Sequence, residues 1–239
     1  MLAALAAVTA VLADVTGREM AANTFVISFD DGPNNTTTPL LLDALKKHDV
    51  KAFFNLVGVN VDNGELLKRM VGEGHIMGSH TWSHAHLRGR KRAFVDNELE
   101  RTERAFQATL GDRPWFFRAP YGEWGEEARK SVADRGYTVL GWDLDTVDWR
   151  MHAPVDVISA LDAFDGSHGI ILMHEYTWTT SAVDEALTHM KRHGHRIAHP
   201  LDALSGVERT TLVTRSCNTS DQRVLQYRTW CPRQVHREM

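Results

Sequence analysis

Short apolar runs alternate with longer amphipathic segments from residue 24 onward, and this alternation constrains the fold more than any other feature of the sequence. The strand-like runs lie at residues 24–29, 52–57, 76–79, 115–118, 137–142 and 169–173. The helix-like segments lie at residues 39–47, 65–73, 91–110, 126–135, 155–164 and 182–192. Strands that alternate with helices are typical of a parallel sheet covered by helices. Six or seven such units in roughly 180 residues predict an α/β fold of the (β/α) barrel type rather than an open sheet.

The composition excludes several classes of function. The chain has 239 residues, which suits one domain, with 27 Lys and Arg against 31 Asp and Glu. A formal charge of −4 lacks the basic surface that nucleic acid binding requires. No apolar run reaches the roughly 20 residues that a membrane-spanning helix needs. Two cysteines are too few for a disulfide framework or a four-thiolate zinc site.

The two ends of the chain differ in character from this alternating region. Residues 2–13 (LAALAAVTAVLA) resemble the apolar core of a secretory signal, although no Lys or Arg precedes them. We expect residues 1–20 to be a signal peptide or its remnant, with a buried first helix as the alternative. Residues 21–239 would then form one domain with a polar tail. Cys217 and Cys231 in that tail could pair in a secreted protein and would be free thiols in a cytosolic one.

Residues with catalytic chemistry follow the first and third predicted strands, at the edge where the loops of a (β/α) barrel converge. Asp30 and Asp31 precede a Gly-Pro turn, and two adjacent carboxylates repel unless a cation or an arginine separates their roles. His80 and His84 would face one side if a helical turn begins there, so that both imidazoles could reach one metal ion. A plain Asp-rich turn and a generic His-rich loop are the alternatives.

Later strands are followed by further polar residues. Arg118 could lower the pKa of a buried carboxylate and fix its orientation. Asp145 is an acid that could pair with a histidine, and Trp149 offers an aromatic ring on which a sugar could stack. His174 ends the sixth strand. Each residue alone has an ordinary structural explanation, but their shared edge favours one catalytic site.

Five stretches, in this order, resemble the motifs of the polysaccharide deacetylases of carbohydrate esterase family 4, the NodB-homology enzymes. They are SFDDGP, GHIMGSHTWSH, RAPYG, DTVDW and LMH. The resemblance covers residues 24–204, and the tail with the two cysteines resembles the ends of fungal chitin deacetylases. It implies a distorted (β/α) barrel with one divalent metal ion, usually zinc, although such a site also accepts cobalt or nickel.

The resemblance also implies roles for the matched residues in metal binding and proton transfer. Asp31, His80 and His84 would be the metal ligands. Asp30 would be the general base, paired with Arg118.

The remaining matched residues would complete the site. His174 would be the general acid, oriented by Asp145. The backbone N–H of Tyr121 would bind the oxyanion, and Trp149 and Leu172 would line the pocket for the acetyl methyl group.

The implied reaction is hydrolysis of N-acetyl groups on N-acetylglucosamine units of chitin or chitooligosaccharides, which releases acetate. The same chemistry on peptidoglycan or acetylxylan is an alternative, and so is a glycan-binding wall protein without activity. We expect a glycan as the partner, no nucleic acid, no membrane span, a monomer, and a secreted or cell-wall location. Ala119 stands where the family usually has proline, and we expect this change to loosen the loop that positions Tyr121.

Overall fold

The structure is a computed structural model that describes residues 15–17, 20–164 and 166–201. Its strands are β1 (Thr24–Asp30), β2 (Ala52–Leu56), β3 (Ile76–Ser79), β4 (Phe116–Phe117), β5 (Thr138–Val139), β6 (Leu144–Asp145), β7 (His168–His174) and β8 (Arg196–Ile197). Its α-helices are α1 (Thr37–Lys47), α2 (Gly64–Gly72), α3 (Arg92–Leu110), α4 (Glu126–Asp134), α5 (Pro154–Asp162) and α6 (Thr177–Arg192). The alternation read from the sequence is therefore confirmed.

Local signals in the sequence set several helix ends. The side chain of Asn63 caps α2 by accepting the backbone N–H of Leu66. α3 ends at Leu110 and is followed by Gly111, whose φ of 77° is a left-handed conformation that costs glycine little. Pro154 is the first residue of α5, where its missing N–H leaves no helical bond unmade. None of the helices in the described ranges is both long and apolar enough to cross a bilayer.

The strands form one parallel sheet that curls into a distorted barrel, as predicted. Their order is β5-β4-β3-β2-β1-β7-β6, and β8 pairs with the start of β1. The segment 15–17 bridges the two ends of this curl. Val15 exchanges backbone hydrogen bonds with Val139 and Gly141, each 2.8 Å long, next to β5. On the other side, the N–H of Gly17 donates to the Asp143 carboxylate just before β6 (2.6 Å).

This bridging segment corrects the predicted domain boundary. Val15 and Met20 are buried in a cluster with Val26 of β1 and Ile170 of β7. Residues 15–17 and 20 therefore belong to the domain, and the boundary predicted at residue 20 lies too late in the chain. The predicted signal sequence at residues 2–13 and the cysteine pair of the tail lie outside the described residues.

The alternation of side chains along β1 separates the core from the site. Phe25, Ile27 and Phe29 point into the layer between sheet and helices, where they pack in the largest cluster of buried residues. Each side chain of this size stabilises the fold by roughly 1.5–3 kcal/mol when buried. Ser28 and Asp30 point to the other face and carry polar groups into the barrel.

The strand register brings the polar groups together at the carboxyl edge of the sheet. Asp30, the last residue of β1, lies beside Asn55 of β2 and beside His174 of β7. Asp145 of β6 lies beside Leu172 of β7. This edge is where a (β/α) barrel carries its active site.

Candidate metal centre and active site

Three side chains, called the ligand trio here, converge at the carboxyl edge: Asp31, His80 and His84. Their candidate ligand atoms lie within 4.8 Å of one another, and no other His, Cys, Asp or Glu group in the described ranges meets this condition. Asp31 Oδ1 lies 3.2 Å from His84 Nε2 and 3.5 Å from His80 Nε2. This oxygen is buried and has no hydrogen-bond partner among the residues that the structure describes. Two histidines and one carboxylate whose ligand atoms converge without a hydrogen bond between them are suited to bind a divalent cation.

Hydrogen bonds on the far side of each imidazole support this fit. His80 Nδ1 lies 2.8 Å from the carbonyl oxygen of Arg118, which can only accept, so Nδ1 carries the hydrogen and Nε2 presents a lone pair. His84 Nδ1 shares a hydrogen bond of 3.1 Å with the Tyr121 hydroxyl. Burial lowers the pKa of both imidazoles and keeps them neutral, as metal ligation requires. Burial raises the pKa of Asp31, and a cation beside it would oppose that shift.

The loop between the two histidines is not helical, and here the predicted helical turn is wrong. Thr81 and His84 adopt left-handed conformations, with φ of 65° and 56°. These two residues turn the chain back on itself so that the ring centroids of His80 and His84 lie 4.9 Å apart. The expected convergence of the two imidazoles is therefore achieved by a different backbone path.

Asp30 is held in a buried network of hydrogen bonds. Its Oδ1 accepts from Arg118 Nη1 (2.8 Å) and from Asn55 Nδ2 (2.7 Å). Arg118 is fully buried and also donates to Ser28 Oγ (2.9 Å) and to the Gly141 carbonyl (2.8 Å). Burial opposes ionisation of Asp30, but the charges of Arg118 and nearby histidines and the Asn55 hydrogen bond outweigh it and lower its pKa. The predicted Asp30–Arg118 pair is present, and Asn55 is a partner that sequence reasoning missed.

The acid that orients His174 is Asp148, so the predicted partner, Asp145, is wrong. Asp148 Oδ1 lies 2.7 Å from His174 Nδ1, and its Oδ2 accepts the His174 N–H and the Thr179 hydroxyl, both at 2.7 Å. Asp145 instead accepts the backbone N–H of Val147 at 2.8 Å. Val147 is left-handed, with φ of 56°, and the turn at this position carries the second acid of DTVDW to the histidine.

Burial opposes protonation of His174, but the hydrogen bond and charge of Asp148 outweigh it. The charges of Asp30 and Asp31 add to this effect, and the pKa of His174 is raised. His174 therefore holds its proton to a higher pH than an ordinary histidine.

Tyr121 lies at the mouth of the barrel in a short 3₁₀ turn, Pro120–Gly122, with φ of 60°. Tyr121 is 55% exposed, and its ring stacks on that of His86 with 3.8 Å between centroids. Ala119, just before the turn, has φ of −73°, a value that proline also adopts. Ala119 therefore has the backbone shape expected of proline, and the predicted loosening of this loop stays a prediction.

The two predicted pocket residues differ in exposure. Leu172 is 5% exposed in β7, whereas Trp149 is 45% exposed with Arg150 over its ring at 4.3 Å. Two aromatic residues that sequence reasoning missed lie nearby: the rings of Tyr176 and Trp178 stack at 4.8 Å, and Trp178 Nε1 donates to the Asp148 carbonyl at 2.8 Å.

Glu175 is a further buried acid beside the site. It accepts a hydrogen bond from Thr38 Oγ1, and its carboxylate fills the space that a side chain on Gly32 would need. Burial raises its pKa to about 7. Glu175 thereby packs against the turn that carries Asp31.

The fold and this arrangement define a class of protein: a barrel hydrolase with a candidate His₂Asp metal site beside a buried carboxylate and a histidine whose pKa is raised. The profile of the family described as "Polysaccharide deacetylase" matches residues 17–140, more than half of the chain. The protein belongs to this family.

Known proteins are similar over most of the described domain. The peptidoglycan-N-acetylglucosamine deacetylase PgdA of Listeria monocytogenes is 33% identical over 84% of this chain, which spans only 42% of that relative's length. A chitooligosaccharide deacetylase of Bradyrhizobium is 35% identical over 62% of this chain and 69% of its own. A family 4 pseudoenzyme of Bacillus anthracis has a similar structure, with a TM-score of 0.71 and 27% identity over 77% of this chain and 66% of its own.

Proposed function

We propose that this protein is a divalent-metal-dependent deacetylase that removes N-acetyl groups from N-acetylglucosamine units of chitooligosaccharides or chitin and releases acetate. The observation that carries the proposal is the position of the ligand trio beside Asp30 and His174 at one edge of the barrel. This edge offers a place for a cation, a proton acceptor and a proton donor. Hydrolysis of an amide needs all three.

Asp30 accepts the proton of the attacking water. Arg118 and Asn55 hold Oδ1 of its carboxylate, which leaves Oδ2 to take the proton. Asp30 Oδ2 lies 3.7 Å from His80 Nε2 and so faces the ligand trio. A divalent ion in the trio would supply a Lewis acid that polarises the acetyl carbonyl and acidifies water. The lowered pKa of Asp30 keeps it ionised before the reaction.

His174 donates a proton to the leaving sugar amine, which is a poor leaving group without one. Asp148 holds Nδ1 of the imidazole, so Nε2 carries the proton that is transferred. The Asp148 carboxylate also stabilises the charged ring until transfer occurs.

Three residues are proposed to receive the acetyl group. The backbone N–H of Tyr121 would bind the oxyanion, a contribution that is usually large in acyl transfer. Trp149 and Leu172 would line the methyl pocket, with the exposed indole of Trp149 also available to a sugar ring.

The choice of polymer rests on the relatives. The names of both curated relatives concern acetylated amino sugars, one in peptidoglycan and one in chitooligosaccharides. Peptidoglycan is therefore the second candidate substrate, and acetylxylan a third. We also propose a monomer that acts outside the cell or in the cell wall, where such glycans lie. N-terminal sequencing of the exported protein and light scattering would test these two points.

A non-catalytic role as a glycan-binding wall protein is the main competitor, since a pseudoenzyme shares this fold. The presence of the ligand trio, Asp30 and His174 in this chain favours catalysis. Binding of chitin by the zinc-loaded protein without any acetate release would favour the competitor.

Acetate release from chitooligosaccharides tests the proposal directly. The purified protein is assayed as isolated, after removal of metal by a chelator, and after addition of Zn²⁺, Co²⁺ or Ni²⁺. We expect release that the chelator abolishes and one of these metals restores. Release that is unaffected by the chelator would refute metal dependence, and release only from peptidoglycan fragments would change the substrate.

A further inference from the structure

The loop between His80 and His84 rests on a buried acid from a different element. Glu98 of α3 is 3% exposed, and its Oε2 accepts the backbone N–H groups of Trp82 (3.1 Å) and Ser83 (2.9 Å). The Ser83 hydroxyl donates to the same carboxylate at 3.1 Å. One carboxylate thus gathers three donors from the segment that joins two members of the ligand trio.

The other side of this loop is held by backbone groups. The carbonyls of Thr81 and Trp82 accept from the N–H groups of Gly58 (2.8 Å) and Val59 (2.9 Å). Within the described ranges, Glu98 is the only partner of the Trp82 and Ser83 N–H groups. The carbonyl side of the loop would therefore keep its partners without Glu98, whereas the N–H side would lose all of them.

The conformation of the loop makes this support necessary. Thr81 and His84 hold left-handed backbone conformations that such residues adopt reluctantly. Without Glu98, the N–H groups of Trp82, which is half-buried, and of Ser83, which is exposed, would lose their acceptor in the protein, and the loop would relax to satisfy them. Relaxation would separate His80 Nε2 from His84 Nε2, because both left-handed residues lie in this segment.

We propose that Glu98 is a positioning residue that sets the metal affinity of the ligand trio by fixing the loop between its two histidines. This inference rests on the proposed function in one respect, that the trio binds a divalent ion. Outer partners of metal ligands typically change metal affinity by about 10- to 100-fold when removed. Glu98 makes no ion pair with Lys or Arg in the described ranges, so its acceptor oxygens rather than a charge pair carry this role.

The experiment compares the Zn²⁺ affinity of three variants in metal-free protein, by competition with a chromophoric chelator. Glu98→Ala removes the acceptors. Glu98→Gln keeps one oxygen for both N–H groups and can donate to Ser83 Oγ. The matched control is Glu103→Ala on the same helix, which removes ion pairs to Arg113 and Arg135 and contacts no member of the trio. Thermal unfolding of each metal-free variant is measured alongside.

We expect Zn²⁺ binding to weaken about 10- to 100-fold in Glu98→Ala and to remain within about threefold of wild type in Glu98→Gln and Glu103→Ala. Equal affinity of Glu98→Ala and wild type would overturn the proposal, and so would an equal loss in Glu103→Ala, which would indicate general destabilisation. If Glu98→Ala does not fold, Glu98→Asp replaces it; its shorter reach should still weaken binding, and unchanged affinity would be contrary. Wild-type protein that binds no divalent ion would instead refute the proposed function, a result that this assay separates from the others.

Discussion

Replacement of Asp148 by asparagine tests the structural assignment of the acid that orients His174. The carboxylate accepts three donors, from the imidazole, from the His174 backbone N–H and from Thr179. If the asparagine oxygen faces the imidazole, its NH₂ group faces the backbone N–H, which cannot accept. If the asparagine amide is flipped, its NH₂ group faces His174 Nδ1 instead. Asp148→Asn therefore cannot satisfy both donors of His174.

The size of the effect follows from these contacts. A hydrogen bond to a charged partner contributes about 1.5–3 kcal/mol, which corresponds to a decrease of roughly one to two units in the pKa of His174. Loss of about 2.7 kcal/mol of transition-state stabilisation reduces kcat about 100-fold. Because His174 acts in its protonated form, the alkaline limb of the pH–rate profile should move to lower pH by the same one to two units.

The matched control is Asp145→Asn, because within the described ranges the Asp145 carboxylate accepts only the backbone N–H of Val147, and an asparagine oxygen can do the same. We expect its free-energy cost to stay near 0.5 kcal/mol, about a twofold change in kcat. The assay is acetate release from pH 5 to 10 at saturating substrate. Equal losses in the two variants, or an unchanged alkaline limb in Asp148→Asn, would refute the assignment of Asp148.

Three further predictions concern other parts of the site and the core. Asp30→Asn should lose at least about 100-fold in turnover but still bind metal, as measured by elemental analysis, whereas His80→Ala should lose the metal. Asp30→Asn protein without metal would contradict the assignment of Asp30 to proton transfer rather than to metal binding. Burial lowers the pKa of His75 to about 3 from 6.5, so between these two values the unfolded chain binds more protons and the free energy of unfolding rises as the pH rises. His75→Gln should reduce that slope by up to about 1.4 kcal/mol per pH unit in urea unfolding, and an unchanged slope would contradict it. The methyl group of Gly32→Ala should overlap the Glu175 carboxylate and destabilise the protein by about 1–3 kcal/mol. The double variant Gly32→Ala with Glu175→Ala should recover part of this loss. Wild-type thermal stability of the single variant would argue against this contact.

The sequence was sufficient for the order of elements, because strand and helix periodicities differ and each strand ends where polar residues begin. The same reading placed Asp30, Asp31 and His174 on one edge, since parallel strands end together. It could not choose between Asp145 and Asp148, which are three residues apart in one motif. That choice depends on the left-handed Val147, and a β-branched residue gives no sequence signal for such a turn.

Residues whose role depends on contacts with distant parts of the chain are less clearly marked in the sequence. Asn55 is a polar residue near the end of an otherwise apolar strand, and this feature could have marked it. Glu98 lies in a helix of many charged residues, where a solvent-facing role is the ordinary expectation. Val15 lies within residues 1–20, which the sequence assigned to a signal peptide, so nothing in the local pattern indicated its pairing beside β5. In each case the partner is far along the chain, and local patterns do not report it.

Five non-glycine residues with positive φ surround the site: Asp31, Thr81, His84, Tyr121 and Val147. Such conformations cost of order 1 kcal/mol each, so together they remove about 5 kcal/mol from a folding stability that for a domain is commonly about 5–15 kcal/mol. Selection for heat resistance alone should therefore accumulate glycine or asparagine at Thr81, Tyr121 and Val147. Because glycine and asparagine adopt these conformations readily and keep the backbone N–H, descendants that carry them would gain stability without moving the main chain that carries the site.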